Sequence, residues 1–422
     1  MSLLQVLVTT AALFRLAFET FLKRKNEMHM NRLKEKPPES INGIMDFQTW
    51  GKATEYSLQK SKLSRSEDVF EFFLFCMSVM VLFPWTFKTW STSLDDSIWK
   101  CSLVVVCFLT LVQLPSLFFD WKRQFGLETQ FGFNKSSLKL WISDKTKELF
   151  IGFFLGFLLF ALLIWLYRNT SNLSPDFWWI LAFLVFFIIQ LCLMVLWPKF
   201  ILPLFNKLSP LEDGELKRRL LYLSEKTGFK AKAIEVIDGS KRSGHSNAYF
   251  TGFGKFRRIV LYDTLIEQMN IDELEAVLAH EVGHYRLGHI PKRLLFSFLF
   301  GLLGFGILSI LLQSEWFYSG LGLPLDLLGS FSSLVVGLSL IVVFFTYWLT
   351  PISNYFSRKH EYEADEFART AVGSWQPLVG ALKKLYVENL NHPLPHSFIS
   401  SFHYSHPTLF EREEALKSRA DD

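Results

Sequence analysis

The sequence predicts a mainly α membrane protein, with seven transmembrane helices and a small β-element in the longest loop between them. Two patterns carry that expectation. Seven apolar stretches recur along the 422 residues, each near the roughly 20 residues that a bilayer core requires. The segments between them alternate between basic and nearly charge-free. Composition agrees: 44 Phe, 13 Trp and 12 Tyr against 20% charged residues exclude a disordered chain. Cys76, Cys101, Cys107 and Cys192 have no CxxC spacing and read as small core hydrophobes, which excludes a disulfide scaffold. A net charge of +4 gives no reason to expect nucleic acid as a partner.

The predicted spans are 3–22, 69–87, 100–119, 149–167, 177–197, 293–312 and 329–349. The first contains Arg15 and Glu19; it lacks the basic start and cleavage site of a removable signal peptide, so it is read as a span. The fourth, LFIGFFLGFLLFALLIWLY, contains no charge at all. Ten Lys/Arg lie between the first two spans and six in the third loop; the second loop has Lys88, the fourth Arg168 and the sixth none. The positive-inside rule then places the odd loops and the C-terminus in the cytosol, and the N-terminus outside or in a lumen. Arg15, Glu19 and Glu71 are too costly to face lipid and are expected to face an interior.

Four regions follow from this layout. Residues 1–197 hold five spans and their loops, and 198–292 form a cytosolic loop. Residues 293–349 hold the last two spans, and 350–422 form a C-terminal segment. Within the long loop, KAIEVI and RRIVLYDTL read as strands, with AYFTGF between them and Gly254 in a turn.

A helix follows, starting near Asp272, where Asp272 and Glu275 have capping-box spacing, and limited by Pro291. It contains His280-Glu281-Val282-Gly283-His284. Residues four apart on a helix are only roughly 40° apart, so both imidazoles can reach one zinc ion. Glu281 between them can then act on a water as the catalytic base. His289 would point roughly 180° away from His280 on a continuous helix. It is therefore read as a surface or capping residue rather than a ligand.

The third ligand is sought in Ser357-Arg358-Lys359-His360-Glu361-Tyr362-Glu363-Ala364-Asp365. Glu361 and Asp365 share one helical face, so Glu361 can ligate while Asp365 accepts the spare N–H of a ligand His. Glu363 points elsewhere. Two spans separate this segment from His280, an even number that returns the chain to the same side.

The segments SKRSGHSNAYFTGFGKFRRIVLYDTL, HEVGHYRLGH, SRKHEYEAD and YSHPTLFERE together resemble those of the type I CAAX prenyl proteases, which are multi-pass zinc metalloproteases. The resemblance implies one Zn2+ held by His280, His284 and Glu361, with Glu281 as base. It implies Asn247 and His406 near the substrate and a structural role for Arg412, and leaves His245 and His403 without assigned roles. Asn247 would then lie on a strand whose edge an extended peptide can join. The resemblance also implies that the seven spans enclose a chamber. The activity would be removal of the last three residues from prenylated proteins ending in Cys-aliphatic-aliphatic-X. A lipid bilayer and a prenylated protein or peptide are then the expected partners. The location would be the endoplasmic reticulum membrane in a eukaryote, or the inner membrane in a bacterium. The alternative is a quality-control metalloprotease acting on membrane proteins that carry no prenyl group.

Overall fold

The structure, a computed structural model, describes residues 2–94, 97–172, 174, 176–229, 233–251 and 258–419. Among these, seven helices are long and apolar enough to cross a membrane. They are α1 (Leu3–Glu35), α2 (Phe47–Trp90), α3 (Ile98–Glu128), α4 (Leu138–Thr170), α5 (Trp178–Leu204), α8 (His289–Leu312) and α9 (Phe331–Val372). The loop between α5 and α8 contains α6 (Glu215–Lys226) and α7 (Ile271–Arg286). Beyond α9 come α10 (Gln376–Glu388) and α11 (Leu409–Ser418).

Each predicted span falls in one long helix; most of these helices outrun their spans, α2 and α9 the furthest. In α9 the apolar run ends near residue 349, yet the helix continues through Pro351 to Val372. It thus carries Glu361 and Asp365 on the same rod that crosses the bilayer. Pro351 withholds one backbone N–H, yet the helix runs on through it.

Side-chain contacts sort the loops by parity. At one end, Gln5 Nε2 donates to Leu321 O at 3.3 Å and Tyr167 Oη to Gly329 O at 3.2 Å, joining the N-terminus and the end of α4 to the sixth loop. At the other end, Asn134 pairs with Ser243, and Ile41, Met45 and Trp50 pack with Val387 and Leu390. Odd loops and C-terminal segment therefore share one end, the arrangement that the charge pattern predicts.

The membrane half buries a core that includes Phe83, Phe87, Phe108, Trp178 and Tyr318, while many large apolar residues point outward. Outward Leu and Phe are stable here because lipid tails are as apolar as a protein interior. Of the three charges expected to face an interior, Glu19 is buried, Arg15 is half-buried and Glu71 stays exposed at the cavity rim. Arg15, Glu19 and Glu71 line one cavity of about 130 Å³ between α1, α2 and α9. Glu19 accepts from Tyr347 Oη at 2.6 Å and lies 3.0 Å from His403 Nε2, while Arg15 stacks over the Tyr347 ring at 4.9 Å.

Among the described residues the β-element has four strands, two of them in the KAIEVI and RRIVLYDTL segments: β1 (Leu208–Pro210), β2 (Ala233–Ile237), β3 (Ala248–Thr251) and β4 (Arg258–Tyr262). Their order is β1-β2-β4-β3, with β2 and β4 parallel and the outer pairs antiparallel. Central β4 buries Ile259, Val260 and Leu261 in succession, as a strand covered on both faces does. The strand expected over RRIVLYDTL stops at Tyr262, because Asp263 opens a short helix, Asp263–Gln268. The expected turn at Gly254, and Lys232 of KAIEVI, lie outside the described residues.

Candidate metal centre

Helix α7 is capped two residues before its predicted cap. Asn270, in an extended conformation, accepts from Glu273 N at 2.9 Å, and Glu273 returns the bond to Asn270 N at 2.9 Å. Asp272 and Glu275 are instead held by Arg219 of α6, at 2.6 Å and 2.9 Å. Both pairs have capping-box spacing, and the distant arginine decides between them. The helix ends at Gly288 rather than at Pro291. Gly288 has φ +70°, a left-handed value that glycine reaches without strain. Pro291 falls in the first turn of α8, where its missing N–H leaves no bond unmade.

Helix α7 then crosses α9 at close range. A Cβ on Gly283 would lie 3.0 Å from Ala364 Cα and 3.1 Å from Phe367 Cβ, so the backbones can approach this closely only with glycine there. This crossing sets the HExxH face against the face of α9 that carries Glu361 and Asp365.

The donors converge there. His280 Nε2 lies 3.3 Å from Glu361 Oε2, His284 Nε2 lies 3.2 Å from Glu361 Oε1, and the two Nε2 atoms are 3.2 Å apart. One ligand atom from each residue falls within a common 4.8 Å. A tetrahedral ion with ligands near 2.0–2.1 Å holds them roughly 3.3–3.4 Å from one another. Glu361 Oε2 is buried without a hydrogen-bond partner, the state of an oxygen reserved for another ligand. The donor set therefore fits a metal ion.

The surroundings prepare those donors. His280 Nδ1 is 2.8 Å from Asp365 Oδ1, which leaves Nε2 with a free lone pair. Arg412 in turn grips Asp365 with Nε at 2.8 Å and Nη2 at 2.5 Å. Burial alone would lower the His280 pKa, but the neighbouring Asp365 and Glu361 carboxylates outweigh it and lift the value to about 9. The pocket thus favours positive charge. Burial raises the Glu281 carboxyl above its ordinary range, against the opposing pull of His280 and His284.

His406 lies 3.4 Å from Glu361 Oε1, with a side chain still 64% exposed. Asn247 is exposed immediately before β3, its Oδ1 accepting from Ala248 N at 2.8 Å. β3 is the terminal strand of the sheet, so it has a free edge. His245 is instead a joint: it stacks on Phe133 at 4.1 Å and reaches Glu128 at 3.1 Å and Asn389 at 2.9 Å. It also lines a cavity of about 770 Å³, together with Tyr56, Arg123, Asp144 and Arg242. That cavity lies at the junction of membrane helices and loops and does not include the metal donors.

His289 overturns its sequence-based placement. It is 1% exposed rather than on the surface, with Nδ1 2.9 Å from His284 Nδ1. The rotation argument assumed one continuous helix, and the left-handed turn at Gly288 breaks it. Glycine after a helical run is a stop signal that would have revealed this. The structural role implied for Arg412 takes the form of a clamp on Asp365, 47 residues away in sequence and too far for any local pattern to show.

Comparison with known proteins gives the same outline. Residues 27–207 match the family described as CAAX prenyl protease N-terminal, five membrane helices, and residues 210–420 match peptidase family M48. CAAX prenyl protease 1 of Saccharomyces cerevisiae is 35% identical over 98% of this chain and 95% of its own length. The chain belongs to peptidase family M48. Another M48 relative, the CAAX prenyl protease 1 homolog of Arabidopsis thaliana, is 34% identical over 90% of each chain. The crystal structure of S. mikatae Ste24p superposes with a TM-score of 0.87 at 33% identity, covering 99% of both chains. This M48 member is thus a multi-pass membrane metallopeptidase with a metal cofactor.

Proposed function

We propose that the chain is a zinc-dependent CAAX endopeptidase that removes the aaX tripeptide from prenylated proteins. One observation carries this reading. His280, His284 and Glu361 hold metal-ligand spacing beside Glu281, in a chain similar to CAAX prenyl protease 1 over nearly its whole length.

His280, His284 and Glu361 would hold the ion, and Asp365 with Arg412 keeps His280 oriented toward it. When bound, zinc supplies a Lewis acid for water and for the scissile carbonyl. Glu281 accepts a proton from the attacking water and returns it to the leaving amine nitrogen. The burial that raises its pKa matches it to that two-way transfer. The substrate peptide extends along the β3 edge beside Asn247, and His406 meets it at the exposed side of the site. The seven helices enclose a chamber in which the prenyl group stays among apolar side chains. Its partners are the bilayer and the prenylated protein. The basic odd loops put the C-terminus in the cytosol and the N-terminus in the lumen. The relatives named above are eukaryotic, which supports the endoplasmic reticulum membrane.

The test compares the protein with its Glu281→Gln variant on a farnesylated C-terminal peptide. Loss of general-base catalysis is expected to slow cleavage by about 10²–10⁴-fold, with zinc retained in full. Unchanged cleavage would remove Glu281 from its role. Cleavage of an unprenylated membrane protein, with none of the farnesylated peptide, would favour the quality-control reading instead.

A further inference from the structure

The two ligand histidines of the proposed site have different outer partners. Asp365 serves His280, whereas His284 turns its Nδ1 to the Nδ1 of His289, 2.9 Å away. His289 Nε2 then lies 2.9 Å from Glu363 Oε2. Two facing imidazole nitrogens at that distance share a single proton. The proton count fixes which ring holds it, given His284 as a metal ligand through Nε2, a premise taken from the function proposed above. A neutral His284 that offers Nε2 to a metal carries its proton on Nδ1. It must therefore donate to His289 Nδ1. His289 then carries its own proton on Nε2 and donates it to the Glu363 carboxylate. Every donor in the series meets an acceptor.

His289, His360 and Glu363 also place three ligand atoms within 4.8 Å, the spacing of a second metal group. Their geometry argues otherwise. The His289 and His360 rings stack at 4.0 Å with only 13° between planes. An imidazole nitrogen binds a metal in the plane of its ring, and two nearly parallel planes so far apart have no common in-plane position. The His360 ring instead lies flat over His289 as a cover.

We infer that His289 and Glu363 form a positioning relay for His284, the counterpart of Asp365 and Arg412 behind His280. The left-handed turn at Gly288 makes this possible by folding residue 289 back onto residue 284.

Zinc affinity by chelator competition, and the visible absorption of the Co2+-substituted full-length protein, test the relay. His289→Leu is expected to weaken zinc binding about 10–100-fold, the usual effect of deleting an outer-shell partner, and to shift the Co2+ bands. His289→Asn, whose Oδ1 can stand where Nδ1 stood, is expected to recover most of that loss and the original spectrum. Glu363→Leu is expected to weaken binding in the same direction and keeps the test alive if His289→Leu fails to fold. His284→Ala serves as the reference. If it loses zinc while His289→Leu and Glu363→Leu keep wild-type affinity and spectrum, the relay is wrong and the ligand assignment stands. If His284→Ala itself keeps wild-type affinity, the ligand assignment falls, and the relay falls with it.

Discussion

Helices α7 and α8 are joined through Gly288, yet they treat their side chains in opposite ways. α7 buries Leu274, Leu278, Ala279 and Val282 together with the polar Glu273 and His280. In the most apolar window of α8 no residue is buried in the protein at all. The difference lies in the solvent. Around α7 the alternative to burial is water, so apolar residues are driven inward and the buried polar groups need fixed partners. Around α8 the alternative is lipid, which receives Leu295, Leu299 and Leu303 as readily as a protein core would.

This contrast ranks the effects of substitution, read as unfolding free energy or its midpoint shift in one lipid or detergent system. The largest is expected for Arg412→Leu beside α7. It leaves Asp365 as a buried carboxylate without its cation, a change that typically destabilises by about 3–5 kcal/mol. The same variant should loosen zinc, because His280 loses its anchored acceptor. A stable variant with full zinc content would mean that Asp365 needs no clamp. Next comes Leu278→Ala, at a position 1% exposed. Deleting a core leucine is expected to remove about 2–5 kcal/mol. Smallest is Leu303→Ala on α8, 59% exposed, where a shift within about 0.5 kcal/mol is expected. A loss at Leu303 equal to that at Leu278 would break the comparison, since the outer face of α8 would then pack against protein.

Legibility in the sequence follows the same division. The seven spans were readable because crossing a bilayer is a requirement on length and apolarity, and both are local. The His280–His284 pairing and the shared face of Glu361 and Asp365 were readable because helical periodicity is local too. What escaped the sequence depends on distant partners. Asn270-x-x-Glu273 and Asp272-x-x-Glu275 are equally good caps on paper, and Arg219 on another helix separates them. That the last span and the Glu361 segment form one helix depends on its far half packing against α7 around Gly283. His289 was misplaced by a periodicity applied across a glycine turn.

The length of α9 has a mechanical consequence. Glu361 sits on the same unbroken helix as the last span, whereas His284 connects to its neighbouring span through the Gly288 joint. One side of the donor cluster thus lies on a continuous rod and the other across a turn. From mid-span near residue 340 to Glu361 the lever arm is ~32 Å at 1.5 Å per residue, so a tilt of ~3° swings Glu361 by ~1.7 Å. Bilayer thickness is among the forces that set such tilts. The tilt of the last span is therefore tied mechanically to the position of Glu361 and of the α7 face packed on it.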